Sequence, residues 1–135
     1  MPSTIVDDLN RVPLFADLNQ RQLKRLARHF RERILAPGTT VVQEGKMSGV
    51  GFFVVTQGEA VVSVGGRAVA TLGPGDHFGE LALISEGERT ATVTAQGQVR
   101  CLEIPFWDFR GFALENPDVT WKLLQHVVGL LAAKT

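Results

Sequence analysis

Glu80 and Arg89 are the residues of this sequence whose types and separation carry the most chemistry. A carboxylate accepts a hydrogen bond from a hydroxyl group, and a guanidinium nine positions later offers a planar set of donors to an anionic oxygen. Gly79 permits close backbone approach, and Glu80-Leu81-Ala82-Leu83-Ile84 is predicted to form a single helical turn whose free N–H groups face an anion. A turn at Gly87 lets Arg89 return along the following strand to the same anion. Carboxylate, amide cradle and guanidinium together suit a ligand that presents a hydroxyl beside a phosphate. Standing alone, Glu80 and Arg89 would read as a structural ion pair at the rim of a sheet.

Other chemistries find too few groups. His77 and Glu80 could begin a metal site, but His29 and His126 fall on predicted helices at opposite ends of the chain, and no third ligand stands nearby. Neither a Ser-His-Asp nor a Cys-His pattern emerges, so no catalytic residue is assigned. Cys101 sits on a predicted strand as a small core residue.

The elements that must hold Glu80 and Arg89 follow a helix, sheet, helix order. Leu18 precedes an N-cap at Asn19, and Gln22 stands where a capping box closes. Leu23, Leu26, Ala27 and Phe30 then recur on one helical face, with Arg21, Lys24, Arg25 and Arg28 mostly on the others, as a solvated basic surface. Strands are expected at 33–36, 40–44, 52–56, 60–64, 67–72, 89–95 and 99–104. Turns separate them at Pro37-Gly38, Gln57-Gly58, Gly65-Gly66 and Gly73-Pro74-Gly75-Asp76. Many short strands at this spacing suggest a sandwich or a jelly-roll barrel. Pro105 opens a short helix with Phe106, Phe109 and Phe112 on one stripe and Trp107 as a further core aromatic, and Asn116-Pro117 starts the last helix. That helix carries Val119, Trp121, Leu123, Leu124, Val127, Val128, Leu130 and Leu131, too many for one narrow stripe. Either it packs on the sheet, or part of it covers a ligand or pairs with a second subunit.

A chain of 135 residues is read as one domain, and its 14 basic and 14 acidic residues create no global field toward nucleic acid or membrane. One cysteine without a partner fits a reducing compartment, the cytoplasm. No signal peptide and no membrane-spanning run are visible.

The segment 78–93, FGELALISEGERTATV, closely resembles the phosphate-binding cassette of cyclic-nucleotide-binding domains, as found in kinase regulatory subunits, gated channels and bacterial catabolite-activator regulators. PLFADL, APGT, QEG, QGEAVV and GPGDHFGE extend the resemblance along nearly the whole chain. It implies a mainly β fold, an antiparallel jelly-roll barrel over 31–104, with N-terminal helices in 1–30 and two C-terminal helices in 105–135. By the same resemblance, Glu80 would accept from the ribose 2′-OH and Arg89 would pair with the cyclic phosphate. Gly79, Leu81 and Ala82 would line the cradle, with Thr90 beside phosphate or base. Val69, Leu72 and Phe78 are candidate apolar walls, and Trp121, Leu124 and Val128 candidate lid residues. Glu88 departs from the pattern, since many members have proline there. The implied ligand is cAMP, favoured over cGMP, with Thr90 keeping cGMP open. The implied role is regulatory and non-catalytic, acting on an effector protein or domain outside this chain. A homodimer through the last helix, without nucleotide, is the alternative. The residues after that helix leave no room for a DNA-binding winged helix, so DNA is not expected as a partner.

Overall fold

The computed structural model describes residues 4–42, 51–79 and 91–133. Two reciprocal capping boxes start the chain's helices. Thr4 and Asp7 close the first, at the head of α1 (Ile5–Asn10). In the second, Asn19 Oδ1 accepts from Gln22 N at 2.9 Å while Gln22 Oε1 accepts from Asn19 N at 3.0 Å, as its sequence signature predicts. This box opens α2 (Gln20–Ala27), and a 3₁₀ turn over Pro13–Phe15 joins the two helices. The helix ends three residues before Phe30, which is still buried.

The strands are β1 (Arg31–Leu35), β2 (Thr40–Val42), β3 (Gly51–Val64), β4 (Arg67–Leu72), β5 (His77–Phe78) and β6 (Thr92–Pro105). Every pairing is antiparallel, in the order β1-β6-β3-β4, with β2 also on β6 and β5 also on β3. The expected separate strands at 52–56 and 60–64 are one strand, and the turn expected at Gln57-Gly58 is a bulge. Register shifts fall on either side of Gln57: Thr56 is extra on β3, then residues 97–99 of β6 stand opposite Gly58 alone, and Gly58, at φ +86°, carries β3 past them without reversing the chain. The strands expected at 89–95 and 99–104 likewise join as β6 from Thr92 onward. The two-residue β5 has no counterpart among the expected strands. The architecture is the antiparallel β roll with flanking helices; among the described residues its sheet does not close.

Because side chains alternate across a strand, β3 and β6 feed two cores. Phe52, Val54, Leu102 and Ile104 face the helices, where they meet Leu9, Phe15, Leu26 and Phe112. Phe53, Val55, Val99 and Cys101 face the inside of the roll, with Leu35, Ala60, Phe78, Val93 and Ala95. Both faces are buried where the two cores meet, at 51–55 of β3 and around 101–104 of β6, and the first of these stretches reads as a continuous apolar run.

Pro105 occupies the N-cap of α3 (Phe106–Glu115), and Phe106, Phe109 and Phe112 are buried as expected. Trp107 is not a core aromatic: one position off the phenylalanine stripe, it points outward and is 74% exposed. Pro117 begins α4 (Pro117–Ala133), whose first free N–H groups, from Val119 and Thr120, reach the Asn116 carbonyl at 3.1 Å. The start of α4 is tied to α2 through Asp118, which accepts from Gln22 Nε2 at 2.9 Å and from Arg25 Nη2 at 2.6 Å. These bonds, Gln22's first and Arg25's next, hold the Asp118 carboxyl at about 2 against its ordinary 3.8. A depressed folded-state value stabilises above the ordinary pKa and is lost on acidification. The α2 to α4 tie is therefore expected to be complete above about pH 4 and to weaken as pH falls through about 2. An NMR titration of the Asp118 carboxyl checks this, and a midpoint at or above 3.8 would contradict it.

Candidate functional site

The turn before the predicted cassette is closed by two hydrogen bonds of its own and fastened to the sheet by two more. Asp76 Oδ2 accepts from Gly73 N at 2.9 Å, and Asp76 N donates to Gly73 O at 3.0 Å. Gly75 N donates to Val55 O at 2.8 Å and Val55 N to Asp76 O at 2.9 Å, which moors the turn to β3. The chain then pairs as β5, with Phe78 opposite Phe53 and His77 opposite Val54. The rings of Phe53 and Phe78 stack 4.8 Å apart and within 8° of parallel. Gly79 follows at φ +92°, a conformation open to glycine and strained for other residues. The bland-looking glycine is thus required by the backbone, at the point where the chain leaves the roll for the predicted cradle.

Glu80, Leu81, Ala82, Arg89 and Thr90 lie outside the described residues, as does the expected helical turn at 80–84. The chain is described again from Ala91 and enters β6 at Thr92. Thr92 pairs with Ser63 and Val93 with Val62, so the segment that carries Glu80 and Arg89 leaves and rejoins the sheet along β3.

The three wall candidates are divided. Phe78 is buried, at 8% exposure, inside the roll. Leu72 is partly buried and packs against the same interior core. Val69, three positions away on β4, is 57% exposed and sits at the register shift where Val62 pairs with Ala70 and Ser63 with Ala68. Val41 and Val62, absent from the sequence-based site, pack beside the interior core with Leu72. Their signal was strand parity: Val62 shares a face with Ala60, and Ala60 pairs with Leu72. The lid candidates Trp121, Leu124 and Val128 form one face of α4, with more than half of each side chain exposed.

Cys101 is fully buried, and burial, more than the opposing effects of Arg33 and Glu103, pushes its thiol up to about 11. Such a thiol stays protonated near neutral pH and is a poor nucleophile. The His77 ring lies 5.4 Å from that of Phe52. Among the described residues no three His, Cys, Asp or Glu side chains gather as metal ligands, and no helix is long and apolar enough to cross a membrane.

The model of the cyclic nucleotide-binding domain family matches residues 32–116. A cAMP-dependent protein kinase regulatory subunit of Yarrowia lipolytica is 40% identical over 94 residues, covering 68% of this chain and 25% of that protein. A cyclic nucleotide-gated potassium channel of Rhizobium etli is 35% identical over 108 residues, covering 80% of this chain and 30% of the channel. The chain thus spans about a quarter to a third of these relatives. The crystal structure of the N-terminal domain of a transcriptional regulator from Streptomyces coelicolor matches with a TM-score of 0.87 and 31% identity, over 98% of this chain and 96% of that one.

Proposed function

Because this chain belongs to the family of cyclic nucleotide-binding domains, regulatory modules homologous to kinase regulatory subunits, we propose that it binds cAMP in preference to cGMP and couples that binding to a change in its C-terminal helices. The observation that carries the reading is the moored turn with Gly79 at positive φ, which delivers the chain into the segment holding Glu80 and Arg89. In this reading Glu80 accepts from the ribose hydroxyl, Arg89 pairs with the cyclic phosphate, and the backbone from Gly79 to Ala82 supplies amide donors. Thr90 stands beside the phosphate or base, and Leu72 with Phe78 backs the sugar and base from the roll. The preference for cAMP draws support from the cAMP-dependent relative, while the Thr90 hydroxyl discriminates weakly.

Coupling has a physical route. β6 leaves the segment at Thr92 and runs to Pro105, the cap of α3. A nucleotide shifts the helices only by binding one of their positions better than another, and contact of the base with Trp121, Leu124 or Val128 would provide that difference. The module performs no catalysis in this reading. Its effector is a protein or domain outside this chain, and its compartment is the reducing cytoplasm, where unpaired Cys101 persists.

Calorimetric titration with cAMP and cGMP tests the reading. Micromolar or tighter binding of cAMP, weakened roughly 100-fold in Arg89→Ala, is the expected outcome, as for loss of one partner of a charge-assisted contact. If neither nucleotide binds at millimolar concentration, the sensor reading fails. Equal affinity in wild type and Arg89→Ala would move the phosphate contact elsewhere. A second reading, a nucleotide-independent homodimer through α4, draws on the exposed stripe of Trp121, Leu124, Val128 and Leu131. Native mass measurement with and without cAMP separates it from a lid.

A further inference from the structure

A cavity opens where three elements meet: the end of α1, the bulge of β3 and the moored turn before β5. Its volume is about 330 Å³, at the lower end of the about 300–1,000 Å³ usual for small-molecule sites. Asp8 and Arg11 border it from α1, Val55 and Thr56 from β3, and Pro74 and Gly75 from the turn. None of the six is among the residues assigned to the nucleotide.

Two of the three walls are fixed by hydrogen bonds. The pair between Gly75 N and Val55 O and between Val55 N and Asp76 O holds the turn against β3. Thr56, the extra residue of the bulge, donates its hydroxyl to Arg100 O at 3.0 Å. Bulges re-aim the chain beside them and recur next to functional sites.

The third wall supplies the charge. Asp8 lies in the last turn of α1 and Arg11 caps it, a single helical turn apart. Neither side chain forms a hydrogen bond or an ion pair among the described residues, with the other or with a third group. Glu32, near enough to act on Asp8, is itself paired, its Oε1 standing 3.7 Å from Arg100 Nε. Burial raises the Asp8 carboxyl above its ordinary 3.8, Arg11 draws it down, and Asp7 and Glu32 raise it further. A cation reaching the cavity would favour the charged carboxylate, and an anion would meet the open guanidinium. An α-amino acid carries both charges on one carbon, a compact dipole that two side chains a helical turn apart can share.

We propose that this cavity binds a free α-amino acid with a short apolar side chain, its ammonium group on Asp8, its carboxylate on Arg11 and its side chain toward Val55 and Pro74. A simple amine or a simple carboxylate meets one of the two charges and leaves the other open.

NMR titration of the whole chain with L-valine tests the site, with isobutylamine and isovalerate as the same skeleton without the carboxylate or without the amine. Valine is expected to give saturable shifts of the Arg11, Thr56 and Gly75 amides with a Kd of about 1 mM, in keeping with so small a guest. Each single-charge probe should bind at least about tenfold more weakly. Asp8→Asn and Arg11→Gln should each weaken valine about tenfold. Valine should then bind Asp8→Asn as isovalerate binds the wild type, and Arg11→Gln as isobutylamine does, a crossing that a merely disturbed fold would not produce. The absence of a saturable shift up to about 50 mM valine would overturn the site. So would a single-charge probe that binds as tightly as valine, or variants that bind valine as the wild type does. The titration contains no nucleotide, so its outcome is separate from that of the cAMP reading.

Discussion

Replacing Phe52 with alanine is expected to lower the stability of the fold by about 3–5 kcal/mol, the range for deleting a fully enclosed aromatic ring. Phe52 has no exposed surface. Its ring meets those of Phe15 at 5.8 Å, Phe30 at 6.3 Å and His77 at 5.4 Å. Phe15 and Phe30 also meet each other edge to face at 6.4 Å, so the three phenylalanines form a triangle with one corner from the sheet and two from the helical layer. Alanine at position 52 leaves the other two facing a void that neither can fill without giving up its own contacts. Urea unfolding should show a lower midpoint with an unchanged slope, since the surface exposed on unfolding is nearly the same. A loss below about 1 kcal/mol would mean that the helical layer collapses onto the sheet and heals the cavity.

Gly58→Ala is the second large effect, with an expected loss of about 3 kcal/mol. The left-handed backbone alone costs an L-residue about 1–2 kcal/mol. At φ +86°, a Cβ here would also lie 2.3 Å from the carbonyl oxygen of Gln98 and 3.2 Å from the Cα of Val99. Both are main-chain atoms of β6, where Val99 is held by its pairing with Leu35 of β1, so neither can rotate away as a side chain would. The bulge must open or the register must move. Gly65, at φ +60° with open space around it, separates the two costs, because Gly65→Ala carries the backbone penalty without the clash. If chemical denaturation finds the two variants equally stable, the bulge yields more easily than its geometry indicates.

How much was legible in the sequence depended on how local the determinant was. The capping box at Asn19 and Gln22 involves two side chains three positions apart, and it forms as read. The span of β4, bounded by the Gly65-Gly66 turn and by Gly73, was readable for the same reason. Gln57-Gly58 misled because a glycine at positive φ serves a turn and a bulge equally well, and the choice rests with β6, some forty positions along the chain. Trp107 misled because its neighbours Phe106, Phe109 and Phe112 define the buried stripe of α3 and leave it facing outward. In the site, Glu80, Arg89 and Gly79 form a short linear pattern, and the local demand for glycine is met at Gly79. The wall was harder to read. Val69 and Leu72 are both apolar residues of β4, but Val69 falls on the bulge that β4 makes against β3, which only the pairing reveals, and Val41 and Val62 likewise join Leu72 only through pairing.

The alternation of β3 and β6 between two cores also bears on how the domain comes apart. Each of these strands is simultaneously the wall of the roll and the floor of the helical layer, with Phe52 and Phe53, or Leu102 and Cys101, as adjacent residues on one backbone. Neither core owns a strand that could be shed without stripping the other. The helices and the roll are therefore one cooperative unit, melting in a single transition, and smaller openings are left to the peripheral elements.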